Sequence, residues 1–366
     1  MKIGVLTSSR ADYGIYLPLL NKLKIDSFFN LEIIAFGTHL STSHGYTIDQ
    51  VIKDGYTVIH EISSLISNDN EQSIASSYGL TTLKFADFWS QNNYDLVLCL
   101  GDRFEMSAVV QSSIPFGIKL AHFHGGETTL GAIDNIYRHQ ITLASKIHFT
   151  ATEIFASKVK ELTNQENNIF NVGSLSLDDM PNYEPIEKSS FLEKYGINED
   201  YVLVTFHPET VSPQENIKYA LEIKESLAQI SKNLYVVITM PNADTLGSVF
   251  RTEIEKLKKE NSDRIILIEN FGKMNYFSAM YYSKLLIGNT SSGILEAASF
   301  NKYVVNVGDR QKGRVQSSNI FNCSFDADEI IFVTNEAISK GEYIGENVYF
   351  QKDVALNIIK VIKNNK

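Results

Sequence analysis

The sequence predicts an α/β chain carrying two doubly wound parallel sheets. Short apolar runs alternate with helical patterns from end to end, the rhythm of strand–helix–strand units. That rhythm breaks once, over 174–190, where two prolines interrupt a stretch without strand periodicity, and then restarts. A length of 366 residues fits two domains better than one.

The first domain is expected over 1–178. Ile3 to Leu6 reads as a strand that turns through Thr7 and Arg10 into a helix over Asp12 to Lys24. Its apolar residues Ile15, Leu19, Leu20 and Leu23 recur at helical spacing. Leu31 to Phe36 is the next strand. A helix around Ile48 to Lys53 stops at Gly55, which fits a C-cap glycine. Tyr56 to Ile59 reads as a strand and Glu71 to Gln91 as a long helix. Strand Leu96–Leu100, helix Phe104–Ser113, a stop at Pro115 and strand Ile118–Phe123 follow. A helix from Ile136 to Ser145, strand Ile147–Thr150 and one more helix lead to Ile169–Val172.

The second domain is expected over 179–350. Strand Tyr201–Phe206, helix Glu215–Ser231, strand Leu234–Thr239 and helix Leu246–Glu260 open it. Strand Ile265–Ile268, helix Asn275–Tyr282, strand Leu285–Ile287, helix Ile294–Ser299 and strand Tyr303–Val307 complete the expected set. A last helix, Val354–Ile362, has no strand after it.

The net charge is −10 and the pI near 5.4. A chain this acidic, without a dense Lys/Arg run, is a poor generic nucleic-acid binder. No apolar run approaches the ~18 residues of a membrane span, and the N-terminus lacks an apolar signal region, so the expected compartment is the cytoplasm. Cys99 sits in an apolar run and reads as a buried thiol; no Cys/His cluster suggests structural zinc.

Two successive apolar runs end in ionisable residues. Leu100 is followed by Gly101, Asp102, Arg103 and Glu105, and Phe123 by His124, Gly125, Gly126 and Glu127, with Asp134, Arg138 and His139 close behind. One such cluster can serve to cap a helix. Two at successive strand ends point to a ligand site, because ligands bind beyond the carboxyl ends of strands in open α/β sheets. His122, His124 and Glu127 invite a metal reading, since alternate residues on a strand share a face. Only one carboxylate lies near, and no metal is expected.

In the second half, Gly288-Asn-Thr-Ser-Ser-Gly293 follows a buried strand and opens a helix. Small residues and free N–H groups there suit a diphosphate, with Ser291 and Ser292 adding hydroxyls and Glu296 placed to accept from ribose. The G-x-G-x-x-G fingerprint is absent, so no nicotinamide cofactor is implied. His207 directly follows a strand and can bind phosphate or move a proton. Arg10 and Arg310, each after a strand, can clamp phosphate oxygens or serve as surface ion-pair partners.

The chain resembles the hydrolysing UDP-N-acetylglucosamine 2-epimerases of sialic-acid and related nonulosonate biosynthesis. The resemblance rests on an ordered set: Arg10-Ala-Asp-Tyr13, Gly37-Thr-His-Leu40, Gly101-Asp-Arg-Phe104, His122-x-His-Gly-Gly-Glu127, Ile133-Asp134 with Arg138-His139, and Gly173-Ser174. It continues with His207-Pro-x-Thr210, Pro241-Asn-x-Asp244, Gly288 to Gly293 with Glu296, and Asn306-Val-Gly-Asp-Arg310. It implies a GT-B-like fold of two Rossmann-type domains with an interdomain active-site cleft, and a last helix, 351–366, that crosses back to the first domain. It implies Asp102, Glu127 and Asp134 as acid–base carboxylates, and His207, Arg10 and Arg310 on the diphosphate. Ser291, Ser292 and Glu296 would hold phosphate and ribose, with Arg103 also counted among the substrate-binding residues. A homodimer or homotetramer is implied as well. Some relatives carry a catalytic carboxylate where this chain has His124, so either His124 or Glu127 moves the second proton.

The implied reaction takes a UDP-sugar with a 2-acetamido group. Its C2 proton is not acidic, so elimination of UDP to a glycal, followed by hydration, replaces simple deprotonation. Two differently tuned groups are needed, and no metal or redox cofactor. Expected products from UDP-N-acetylglucosamine are N-acetylmannosamine and UDP. The alternatives are hydrolytic 2-epimerisation of UDP-N,N′-diacetylbacillosamine toward legionaminic acid, and a GT-B glycosyltransferase.

Overall fold

The computed structural model describes residues 1–366 except 43–44, 57, 67–69, 131–132, 210–212, 241–246, 262, 270 and 366, and excepting the side chains of 58–59, 213 and 247–248. Thr210 and the Pro241–Asp244 piece therefore lie outside the described residues. The chain divides into two compact units. Unit 1 comprises Met1–Glu127, Asp134–Asp179 and Tyr349–Lys366; unit 2 comprises Thr128–Ile133 and Met180–Val348.

Unit 1 contains, in order, β1 (Lys2–Thr7), α1 (Arg10–Ile25), β2 (Asn30–Phe36), α2 (Ile48–Lys53), β3 (Val58–Ile62), α3 (Glu71–Gln91), β4 (Leu96–Leu100), α4 (Phe104–Ser113), β5 (Leu120–Phe123), α5 (Asp134–Ala144), β6 (Ile147–Thr150), α6 (Glu153–Thr163) and β7 (Ile169–Asn171). The strands form one sheet in the order β3-β2-β1-β4-β5-β6-β7, and every pairing is parallel. Alternation along the strands feeds two cores. Ile3 and Val5 of β1 face a cluster with Tyr16, Leu19 and Leu23 of α1. Leu6 faces the other, with Phe85 and Trp89 of α3 and Val109 of α4. The chain's last helix, Val354–Asn364, buries Val354, Ala355, Ile358 and Ile362 in the first cluster.

Unit 2 contains α7 (Lys188–Tyr195), β8 (Tyr201–Thr205), α8 (Asn216–Ile230), β9 (Tyr235–Thr239), α9 (Gly247–Glu260), β10 (Ile265–Ile268), α10 (Lys273–Tyr282), β11 (Leu286–Gly288), α11 (Ser291–Leu295), β12 (Val304–Val307), β13 (Ile320–Cys323) and α12 (Ala327–Ser339); the last helix is α13. Its sheet runs β10-β9-β8-β11-β12-β13, again all parallel. Val202 and Val204 pack on α8, α9 and α12, while Tyr201 and Leu203 pack with Phe191 of α7 and Met280 of α10.

Three elements correct the sequence reading. β13 and α12 follow Val307, where the set was expected to be complete, and α7 begins inside the stretch taken as connection. β13 is only partly buried and interrupted by Asn322, but α12 had a signal. Asp326 caps it by accepting from the Glu329 N–H at 2.9 Å, with Glu at the third helical position as in a capping box. Gly196 ends α7 in the left-handed conformation. The helix expected at Ile294–Ser299 is instead the short α11 followed by a 3-10 turn, Ala297–Phe300.

Both sheets reverse winding direction beside their first strand, between β1 and β4 and between β8 and β11. Loops beyond the carboxyl ends of those strands are where a doubly wound sheet places its ligand.

Candidate active site

In unit 1, the loop after β1 is a closed turn. Ser9 caps α1 by accepting from the Asp12 N–H, and the Asp12 carboxylate accepts from the Ser8 N–H at 3.0 Å and its hydroxyl at 2.6 Å. This fixes the start of α1, where Arg10 is exposed. Nearby, buried His39 lies between the hydroxyls of Thr7 (2.9 Å) and Thr47 (2.8 Å). Burial pushes its pKa down to about 4, so it is neutral at pH 7.

After β4, Gly101 takes a left-handed φ of +80° and the chain turns through Asp102 into α4. Its carbonyl accepts from His122 Nε2 at 2.9 Å. Asp102 accepts from a guanidinium nitrogen of Arg138. Arg138, only 2% exposed, also donates to the Glu127 carbonyl at 2.7 Å. One buried guanidinium thus ties the β4 loop to the β5 loop. Arg103 faces its own helix, making two bonds to Glu105 at 2.9 and 3.2 Å.

After β5 the chain turns sharply. His124 has φ +64°, an uncommon conformation for a side chain with a Cβ and one that clusters at functional sites. The two glycines explain how the turn closes: a Cβ on Gly126 would lie 2.3 Å from the Phe155 carbonyl oxygen. The turn carries Glu127 back beneath the imidazole, and its carboxylate meets His124 Nδ1 at 2.6 Å. Glu127 and His124 are both buried, Glu127 more completely. A histidine gripped at Nδ1 by a buried carboxylate has its tautomer set and its Nε2 left for proton transfer. The metal premise is thereby corrected. His124 lies past the end of β5, so strand alternation does not align it with His122, whose nitrogens meet Thr142 and Gly101. Among the described residues no group of three or more His, Cys, Asp or Glu could hold a metal. Asp134 is the first residue of α5 and lies one turn before Arg138.

In unit 2, His207 follows β8 after Phe206. Asn289 brackets it: the side-chain oxygen accepts from the His207 N–H and the side-chain nitrogen donates to its carbonyl, both at 2.8 Å. Glu209, buried by the next turn, accepts from the Asp309 N–H at 2.6 Å and joins the β8 loop to the β12 loop. Burial raises its pKa, against the lowering effect of those backbone amides. Arg310 donates to the Asn289 carbonyl over a long 3.5 Å. The Ser292 hydroxyl lies 2.7 Å from that of Tyr276, a partner from α10 that the sequence reading did not single out. Glu296 is buried at the end of α11. A cleft of about 810 Å³ opens beside Glu209 and Asp309 and is lined by Lys218, Tyr219, Lys312, Arg314 and others.

These strand-end clusters accompany a match over the chain's length. A family model described as UDP-N-acetylglucosamine 2-epimerase covers residues 21–363. The chain belongs to that family. The epimerase-family chain is 33% identical to "Polysialic acid biosynthesis protein P7" of Escherichia coli, over 99% of this chain and 94% of that one. It is 34% identical to "GDP/UDP-N,N'-diacetylbacillosamine 2-epimerase (hydrolyzing)" of Campylobacter jejuni, over 88% of this chain and 84% of the other. Its fold is that of the UDP-GlcNAc 2-epimerase of Neisseria meningitidis, solved bound to UDP-GlcNAc, with a TM-score of 0.83, 17% identity and all of both chains covered. Sequence reasoning did not pair these candidates with their partners: in unit 1 Arg138 with Asp102 and Glu127 with His124, and in unit 2 Asn289 with His207.

Proposed function

We propose that this chain is a hydrolysing 2-epimerase of a UDP-activated 2-acetamido sugar, converting UDP-N-acetylglucosamine and water to N-acetylmannosamine and UDP. The observation that carries the reading is the pair of unlike acid–base groups at the ends of β4 and β5: Asp102 held by Arg138, and His124 held by Glu127. An elimination followed by hydration needs two such groups with different environments.

In the first step a base takes the C2 proton while the C1–O bond breaks, and UDP departs with the bonding pair. In the second, water adds its hydroxyl to C1 of the glycal and a proton is delivered to C2 from the opposite face. His124 Nε2 moves one of these protons, with Glu127 orienting the ring through Nδ1. Asp102 and Asp134 supply the other carboxylate chemistry. His207, Arg10 and Arg310 take the charge developing on the diphosphate, the electrostatic part of catalysis. Ser291, Ser292 and Glu296 hold phosphate and ribose, and Arg103 steadies the start of α4 beside the substrate.

A second substrate, UDP-N,N′-diacetylbacillosamine, is favoured by the name of the Campylobacter jejuni relative at 34% identity. One experiment tests both: incubation with each UDP-sugar, with NMR of the products. Free manno-configured sugar plus UDP from either substrate supports hydrolytic epimerisation and names the substrate. Release of an epimerised sugar still attached to UDP, or transfer to an acceptor, sinks it. Asp102→Asn and Asp134→Asn should abolish turnover while UDP still binds.

A further inference from the structure

The geometry points to Asn289 as a positioning residue that sets His207, and through its own carbonyl Arg310, for the departing diphosphate. This rests on the proposed function, since His207 and Arg310 are there assigned to that leaving group.

The Asn289 contacts begin where the β8–β11 ladder ends. β8 and β11 pair through Thr205 and Gly288, and the Asn289 N–H still donates to the Thr205 carbonyl at 3.2 Å. Backbone pairing stops there. The Asn289 side chain then carries it further, giving an acceptor to the His207 N–H and a donor to the His207 carbonyl. A primary amide offers both functions side by side, as a neighbouring strand would. His207 thus leaves the sheet with its backbone still held in register, which fixes where its ring can point.

Only asparagine satisfies this arrangement. Aspartate would set an oxygen against the His207 carbonyl oxygen, and glutamine adds a methylene. Asn289 is 0% exposed, so water does not stand in for the lost bonds. Gly288 allows the approach: a Cβ there would lie 1.9 Å from the Thr205 carbonyl oxygen. On its other side, the Asn289 carbonyl accepts from Gln311 Nε2 at 2.8 Å and from Arg310. One buried residue therefore fixes the loops after β8 and β12 together.

The test is a double-mutant cycle on UDP binding, by calorimetry, with wild type, His207→Ala, Asn289→Ala and the double variant. Each single change should weaken UDP by about tenfold, the loss of a charged or buried hydrogen-bonded contact. The double variant should lose no more than about threefold beyond His207→Ala, because coupled residues are not additive. Asn289→Gln, which keeps the neutral amide but displaces it by a methylene, should fall between wild type and Asn289→Ala; it replaces Asn289→Ala in the cycle if that variant does not fold. An additive cycle in a chain that binds UDP overturns the positioning role alone. Equal UDP binding by wild type and His207→Ala overturns it as well. A wild-type chain that binds no UDP overturns the proposed function and this inference with it.

Discussion

Replacing Arg138 by Met should damage both stability and turnover. The side chain is 2% exposed and holds two groups: the Asp102 carboxylate and, at 2.7 Å, the Glu127 carbonyl. Removing one partner of a buried pair costs about 3–5 kcal/mol when the remaining charge is fully desolvated. The Asp102 side chain keeps 27% exposure, so water recovers part of its solvation and about 2 kcal/mol is the better figure. The abandoned Glu127 carbonyl adds about 1–3 kcal/mol. The total, about 3–5 kcal/mol, corresponds to a fall of about 10 °C in the melting temperature of a domain this size. Arg138→Lys keeps the charge but not the fork that spans both acceptors, so it should recover only part of the loss. Circular dichroism melts and the product NMR assay measure both effects. If Arg138→Met melts within about 2 °C of wild type and turns over normally, the guanidinium is not what holds the two loops.

Three further outcomes are expected. His124→Gln should lower kcat by about 10²–10⁴, the usual range for a general acid–base group, while Glu127→Gln, which keeps an oxygen for the Nδ1–H, should lose less and shift the pH profile; the reverse ranking would move the proton to Glu127. Unit 1 should lose stability in acid. Burial holds His39 and His148 at about 4 and His122 at about 3. Below the unfolded value near 6.5, the unfolded chain therefore binds protons that the folded chain refuses, and stability falls with pH. The contribution is intact above about pH 6.5 and is lost toward pH 4 at up to about 1.4 kcal/mol per unit per histidine. His148→Phe, which removes two buried ring nitrogens without partners, should flatten that slope in melts at pH 7.5, 6 and 5; identical melts across the range contradict the account. Gly288→Ala should prevent unit 2 from folding, because φ is +146° and the added carbon would sit 1.9 Å from a carbonyl oxygen; soluble protein melting like wild type would show that the strands can separate there.

The sequence by itself determined the local grammar of this chain. Apolar runs such as Leu96–Leu100 make strands wherever they are buried on both faces, and ionisable residues at their ends are too costly to desolvate to be filler. Asp102, His124, Glu127 and His207 stood out as candidates for that reason, and the Gly288–Gly293 turn for its small residues and free N–H groups. β13 did not, because Ile320–Cys323 is only partly buried and carries Asn322 between serine- and asparagine-rich flanks, so it lacks the continuous apolar run of the other strands. The partners were decided only by tertiary structure. Arg138 reaches Asp102 across 36 residues, and Asn289 reaches His207 across 82. Those pairs exist because parallel register places the ends of β4 and β5, and of β8 and β11, side by side. His124 changed meaning most. Strand alternation paired it with His122, but its left-handed turn gives it instead to Glu127, since a backbone that leaves the sheet no longer obeys the sheet's period.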